Sequence, residues 1–94
     1  MNVLVADNPA RRRFEILVDG GLAGFAAYRV HDGLIVFTHT EIDPAFQGKG
    51  VGAQLAAGAL DQVRERGEKV VVQCPFMAAF VQRHTEYQDL VVEE

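Results

Sequence analysis

Three short stretches of this chain hold side chains or backbone suited to catalysis or ligand binding: Gln47-Gly48-Lys49-Gly50-Val51-Gly52, the pair His39 and Glu41, and Cys74-Pro75. Three glycines within five residues free the first stretch to curl tightly. A glycine-rich turn between a strand and a helix makes an anion site, because the first helical amides lack partners and the helix dipole adds partial positive charge. We read it as a cradle for a phosphorylated cofactor. His39 and Glu41 are two residues apart, which in a strand puts both on one face about 7 Å from each other. A groove containing both would hold a base able to take a proton from an attacking group. Cys74 precedes a proline suited to the first position of a helix, so it would sit at an N-cap, where the dipole favours the thiolate.

Two familiar uses of a glycine turn do not fit. A nucleotide-hydrolysing phosphate loop needs Gly-Lys followed by Ser or Thr, and Lys49 is followed by Gly50. A dinucleotide fold places its glycines after the first strand of a larger alternating domain, whereas three strand-like runs precede these. Lys49 could help to hold a phosphate, although an exposed lysine in a turn is more often plain solvent-facing charge.

The chain around these residues has 94 positions, which gives one expected domain, residues 1–94, with a small core. With 49% of residues apolar, a packed globule is expected rather than a disordered chain. A net charge of -4 argues against a broad nucleic-acid surface, and Arg11-Arg12-Arg13, the one basic run, reads as a solvated strand edge. The single cysteine rules out an internal disulfide and a multi-thiolate metal site, and no metal is expected. No apolar run approaches the roughly 20 residues that cross a bilayer, and Met1 to Val5 lack the basic start and long apolar stretch of a signal peptide. A cytoplasmic location without membrane contact is expected.

Periodicity gives the strands and helices that carry these stretches. Residues 1–6 read as a short strand broken at Asp7-Asn8-Pro9. Residues 12–18 alternate Phe14, Ile16 and Val18 against Arg13 and Glu15, as a strand with one wet face does. Asp19-Gly20-Gly21 is turn chemistry before a second apolar run, 22–30, and His31-Asp32-Gly33 is another before the longest strand, 34–42. Beyond the glycines, Val51, Leu55, Ala56, Ala59, Leu60 and Val63 recur at helical spacing up to Gly67. Residues 70–73 read as a strand buried on both faces, Pro75 to about His84 as a second helix, and 87–92 as a last edge strand. The result is a mixed α+β architecture, an antiparallel meander continuing into a parallel β-α-β crossover. The six phenylalanines are assigned to the core, with Phe46 or Phe76 also able to touch a cofactor; Glu93 and Glu94 read as a solvated tail.

This combination resembles the GNAT superfamily of acetyl-coenzyme A-dependent N-acetyltransferases. Gln47-Gly48-Lys49-Gly50-Val51-Gly52 matches its Gln/Arg-x-x-Gly-x-Gly/Ala pyrophosphate motif, and Ile42-Asp43-Pro44 its hydrophobic-Asp-Pro lead-in. The likeness covers residues 22 to about 87. The short link at Asp19-Gly20-Gly21 replaces two substrate-binding helices, so the chain looks like the minimal subfamily related to N-acetyltransferase domain-containing protein. His39-Thr40-Glu41 and Cys74-Pro75-Phe76 match segments shared within that group.

The resemblance implies a GNAT-like fold with a splayed parallel strand pair, acetyl-coenzyme A as cofactor and an amine as acceptor, either a small molecule or a protein lysine. Gln47, Gly48, Lys49, Gly50, Val51 and Gly52 would hold the pyrophosphate, and the backbone at Ile42 the pantetheine arm. The thioester would lie between the strands carrying Glu41 and Cys74. Glu41 is then the first choice of base, and His39 is either a further catalytic residue or a cross-strand hydrogen-bonded histidine on a half-buried face. Cys74 is either a nucleophile carrying the acetyl group in two steps, a part of the cofactor pocket, or a small buried hydrophobe. One departure stands out: Val81 occupies the position where many relatives carry an acidic Tyr, Tyr87 lies beyond the helix, and His84 falls on a different helical face. The alternative reading is a coenzyme A or acyl-coenzyme A binding module with little catalysis.

Overall fold

The computed structural model describes residues 2–93. Met1, assigned above to the first strand, and Glu94, assigned to the tail, lie outside the described residues. Five strands, β1 (Val3–Asn8), β2 (Arg13–Val18), β3 (Gly21–His31), β4 (Leu34–Ile42) and β5 (Lys69–Val72), form one sheet in chain order. The first four are antiparallel neighbours, and β5 runs parallel to β4. Between β4 and β5 lies α1 (Val51–Glu65), and after β5 comes α2 (Pro75–Arg83). The mixed α+β meander and crossover are as the periodicity predicts.

The β2–β3 and β3–β4 hairpins each close through two residues of positive φ, Asp19 at 51° with Gly20 at 83°, and Asp32 at 51° with Gly33 at 76°. Such turns match the twist of the strands they join, and Asp-Gly adopts them at little cost. The short Asp19-Gly20 link lays β3 directly against β2.

One face of the sheet is the core. Phe14 and Ile16 of β2, Ala26 and Tyr28 of β3, and Ile35 and Phe37 of β4 pack with Leu55, Ala59 and Leu60 of α1 and with Met77 and Phe80 of α2. The opposite face carries Phe25, which is only half-buried and lies under the Arg13 guanidinium at 4.5 Å. Phe76 is 40% exposed. These two rings depart from the expected all-phenylalanine core, because one points off the far side of the sheet and the other lies over the first turn of α1. The arginine run also divides: Arg11 ends a 3-10 turn (Pro9–Arg11), Arg12 has a φ of 54°, and Arg13 opens β2 with Nε 2.7 Å from Glu15.

The expected last strand is corrected. Thr85–Leu90 is a 3-10 helix, and only Val91 bridges the sheet, beside Val70. Tyr87 and Leu90 are both buried, and three-residue spacing brings them to one side in a 3-10 helix but to opposite sides in a strand. Arg64 reaches both carboxylate oxygens of Asp89 and the Glu86 carbonyl, which ties this segment to α1.

Candidate active site

The site begins where the parallel strands part. Pairing runs from Leu34↔Lys69 to Phe37↔Val72, and the Phe37 carbonyl then accepts from the amides of both Gln73 and Cys74, each at 3.0 Å. β4 continues to Ile42, so its edge beyond Phe37 has no strand partner on this side among the described residues. A one-residue bulge at Thr38 lets His39 pair with Ala27 while Phe37 pairs with Tyr28. The bulge reverses the alternation of faces. Thr40 and Ile42 consequently point to the helix side, and His39 and Glu41 to the other.

Thr40 Oγ1 lies 3.3 Å from Cys74 Sγ across the gap. Cys74 is the N-cap of α2, as its place before Pro75 predicts, and it is 3% exposed. As a site residue Thr40 is not evident from sequence alone. Its position two residues before Ile42 is a signal, but the bulge that turns it inward leaves no mark in composition.

After Ile42, Asp43 accepts from the Ala45 amide at 2.9 Å and Pro44–Phe46 makes a 3-10 turn. Gln47 Nε2 donates to the Ile42 carbonyl at 3.4 Å. Gly48 and Gly50 have φ of 79° and 77°, a region that glycine enters without a steric penalty. Gly50 caps α1 with no side chain, and the first turn of α1 holds no acidic residue. A Cβ on Gly52 would stand 2.8 Å from Phe76 Cζ, so this glycine lets the ring lie against the helix start. The result is a cleft of about 430 Å³ walled by Thr40, Ile42, Phe46, Phe76 and the backbone of the turn. Lys49 is exposed and does not line it. Bare glycine backbone, an uncapped helix start and apolar walls fit a phosphate-bearing ligand with a long uncharged arm.

On the other face, His39 Nε2 and Glu41 Oε2 are 2.9 Å apart, and the two side chains are 61% and 62% exposed. The Phe25 and His39 rings meet edge to face, with centroids 6.3 Å apart. His39 and Glu41 thus share a face, while Cys74 and the glycine turn lie across the strand from them.

Tyr87 and His84 are engaged elsewhere. Tyr87 donates to Asp61 at 2.7 Å, and burial, reinforced by that carboxylate, pushes its pKa up to about 12. The His84 ring stacks on Phe80 at 4.0 Å, and its Nδ1 donates to the Phe80 carbonyl at 3.0 Å. Val81 is buried.

Residues 13–90 match the sequence profile of the GCN5-related N-acetyl-transferase family. A GCN5-like putative N-acetyltransferase of Staphylococcus aureus, solved in solution, superposes with a TM-score of 0.72 at 23% identity, over 99% of this chain and 91% of that one. Ribosomal-protein-alanine N-acetyltransferase from Brucella melitensis superposes with a TM-score of 0.54 at 22% identity, over 87% of this chain and 62% of that one. At these identities the likeness to both structures is one of fold. No curated protein matches the sequence.

Proposed function

The chain belongs to the GCN5-related N-acetyltransferase family, and on that basis we propose that it binds acetyl-coenzyme A in the cleft over α1 and transfers the acetyl group to an amine. The observation that carries this reading is the convergence on one cleft of two glycines of positive φ, an uncapped helix start and the unpaired edge of β4. The amides from Gln47 to Gly52 hold the pyrophosphate, and Lys49 adds positive charge from outside the cleft. The edge of β4 near Ile42 bonds the amides of the pantetheine arm, much as a missing strand would. When bound, the cofactor supplies an activated acyl carbon and a thiolate leaving group.

An ammonium has no lone pair, so the acceptor must lose a proton before it attacks. Glu41 takes that proton, directly or through water, from the face of the sheet opposite the cleft. His39, within hydrogen-bond distance of Glu41, orients the carboxylate and passes the proton to solvent. Cys74 serves as the wall behind Thr40 rather than as a nucleophile, because a sulfur so enclosed is poorly placed to meet an acyl carbon.

Saturable binding of acetyl-coenzyme A, followed by release of free coenzyme A with an amine acceptor, is the direct test. Turnover with an acceptor eliminates the binding-module alternative. Glu41→Gln is expected to lower kcat by about 100-fold or more, in the range of a lost general base, with cofactor affinity unchanged. Full turnover in that variant would place the base elsewhere. Intact-protein mass spectrometry after incubation with acetyl-coenzyme A is expected to find no acetyl adduct, and Cys74→Ala to retain turnover. An adduct that disappears in Cys74→Ala would instead establish the two-step route.

A further inference from the structure

A second groove, of about 270 Å³, lies on the other side of Ile42, a residue that also lines the cofactor cleft. Its apolar lining comes from Leu22, Phe25 and Pro44, and its charge from Glu41 and Asp43. Among the described residues no lysine or arginine lines it. Arg13, the cation over the Phe25 ring, is paired with Glu15 at 2.7 Å. The groove therefore joins an apolar surface to two carboxylates with no cation in its lining.

The geometry is held in place by the backbone. Asp43 donates its amide to the Ala23 carbonyl at 2.8 Å, and one of its carboxylate oxygens accepts from Ala45. Gly24, opposite Ile42, has no room for a side chain, since a Cβ would stand 2.6 Å from the Glu41 carbonyl oxygen. Glu41 and Asp43 are two residues apart along extended backbone, which puts their α-carbons about 7 Å from each other and sets the scale of the spacing between their side chains. Roughly five methylenes span that distance at ordinary carbon–carbon bond lengths.

Resting on the acetyl-transfer reading above, we propose that the acceptor is an aliphatic amine bearing a second positive charge about five methylenes away, as in a linear diamine. The reacting nitrogen sits at Glu41, the methylenes lie on Leu22 and Phe25, and the second ammonium faces Asp43. The C–N bond forms as the thioester C–S bond breaks, with the amine proton passing to Glu41 and the coenzyme departing as thiolate. An acceptor with a carboxylate in place of the second ammonium meets repulsion from Asp43.

The test compares 1,5-diaminopentane, 1-aminopentane and 6-aminohexanoate as acceptors, with acetyl-coenzyme A binding measured separately by calorimetry. An exposed charge pair gives up to about a fivefold effect, so kcat/KM is expected to be about fivefold higher for the diamine than for the monoamine. The aminohexanoate should be the poorest, and added salt should shrink the differences. Asp43→Asn keeps an acceptor for the Ala45 amide, and it should raise KM for the diamine by a larger factor than for the monoamine. Equal kcat/KM for diamine and monoamine, or a preference that survives in Asp43→Asn, overturns the proposal. Amide shifts at Phe25, Glu41 and Asp43 on titration with each amine, without cofactor, separate the two readings. If acetyl-coenzyme A does not bind but the diamine perturbs these amides more than the monoamine does, the transfer reading falls and the groove assignment stands. If acetyl-coenzyme A binds and the two amines behave alike, the groove assignment falls and the transfer reading stands.

Discussion

Gly50 and Gly52 are two residues apart, yet they act in different ways. Gly50 has a φ of 77° with nothing within 4 Å of a built Cβ, so its constraint is conformational; Gly52 is crowded by Phe76. An L side chain in the left-handed region costs about 1–2 kcal/mol. Gly50→Ala is accordingly expected to lower the melting temperature and to weaken acetyl-coenzyme A binding by about tenfold, equivalent to about 1.4 kcal/mol. Gly52→Ala should behave otherwise, because alanine favours the helix by up to about 1 kcal/mol while displacing the exposed Phe76 ring from the cleft wall. Weaker binding without loss of stability is the expected signature. Calorimetric titration and thermal denaturation of both variants check this, and wild-type affinity in Gly50→Ala would remove that residue from the cradle. These glycines are legible in the sequence because backbone permissiveness is written in the residue type. Thr40 is not, because its inward direction depends on the Thr38 bulge, which is set by pairing with β3.

Among the elements, α1 comes very close to β1. A Cβ on Gly58 would stand 2.7 Å from Val5 Cβ, and these are atoms close to two backbones rather than the tip of a mobile chain. Relief therefore requires the helix or the strand to move. Gly58→Ala is expected to destabilise the fold by about 1–3 kcal/mol through overpacking, although alanine is the better helix former. Adding Val5→Ala should recover part of the loss, as neighbouring sites couple in a double-mutant cycle. Equilibrium denaturation of the four proteins measures the coupling, and additive effects would show that the contact does not limit packing. Element types are largely legible because the alternation of Phe14, Ile16 and Val18 with Arg13 and Glu15 in β2 and the 3.6-residue periodicity in α1 each reflect a single buried face. The C-terminal segment is not, because its burial pattern spans only Tyr87 and Leu90, and the choice of 3-10 helix over strand depends on partners in α1 that are distant in sequence.

Across the whole molecule, two buried phenols clamp the outer parts onto the centre. Tyr28 donates to Asp7 at 2.7 Å, joining β3 to β1 across β2, and Tyr87 donates to Asp61, joining the C-terminal segment to α1. Burial, and then the carboxylate partner, pushes each from 10.0 up to about 12. A raised pKa means that the folded state holds the phenolic proton more tightly than the unfolded chain does. The contribution is thus fully present below pH 10 and is lost as pH rises through about 12. This tighter hold on the proton corresponds to an upper bound on the order of 2–3 kcal/mol for each tyrosine. At the acid end, hydrogen bonding from Arg64 holds Asp89 below its ordinary range, so the tie between α1 and the C-terminal segment weakens as pH falls through that lowered value. The tyrosines' part of the stability is therefore expected to be flat from neutrality to about pH 10 and to fall above it. Because the sequence has only two tyrosines, phenolate absorbance has no exposed background. The folded protein should show no transition near pH 10, and its phenolate should appear together with the loss of tertiary circular dichroism. Tyr28→Phe and Tyr87→Phe should each remove part of the alkaline slope. Ordinary titration of either tyrosine near pH 10 in the folded protein would mean that its clamp is open in solution.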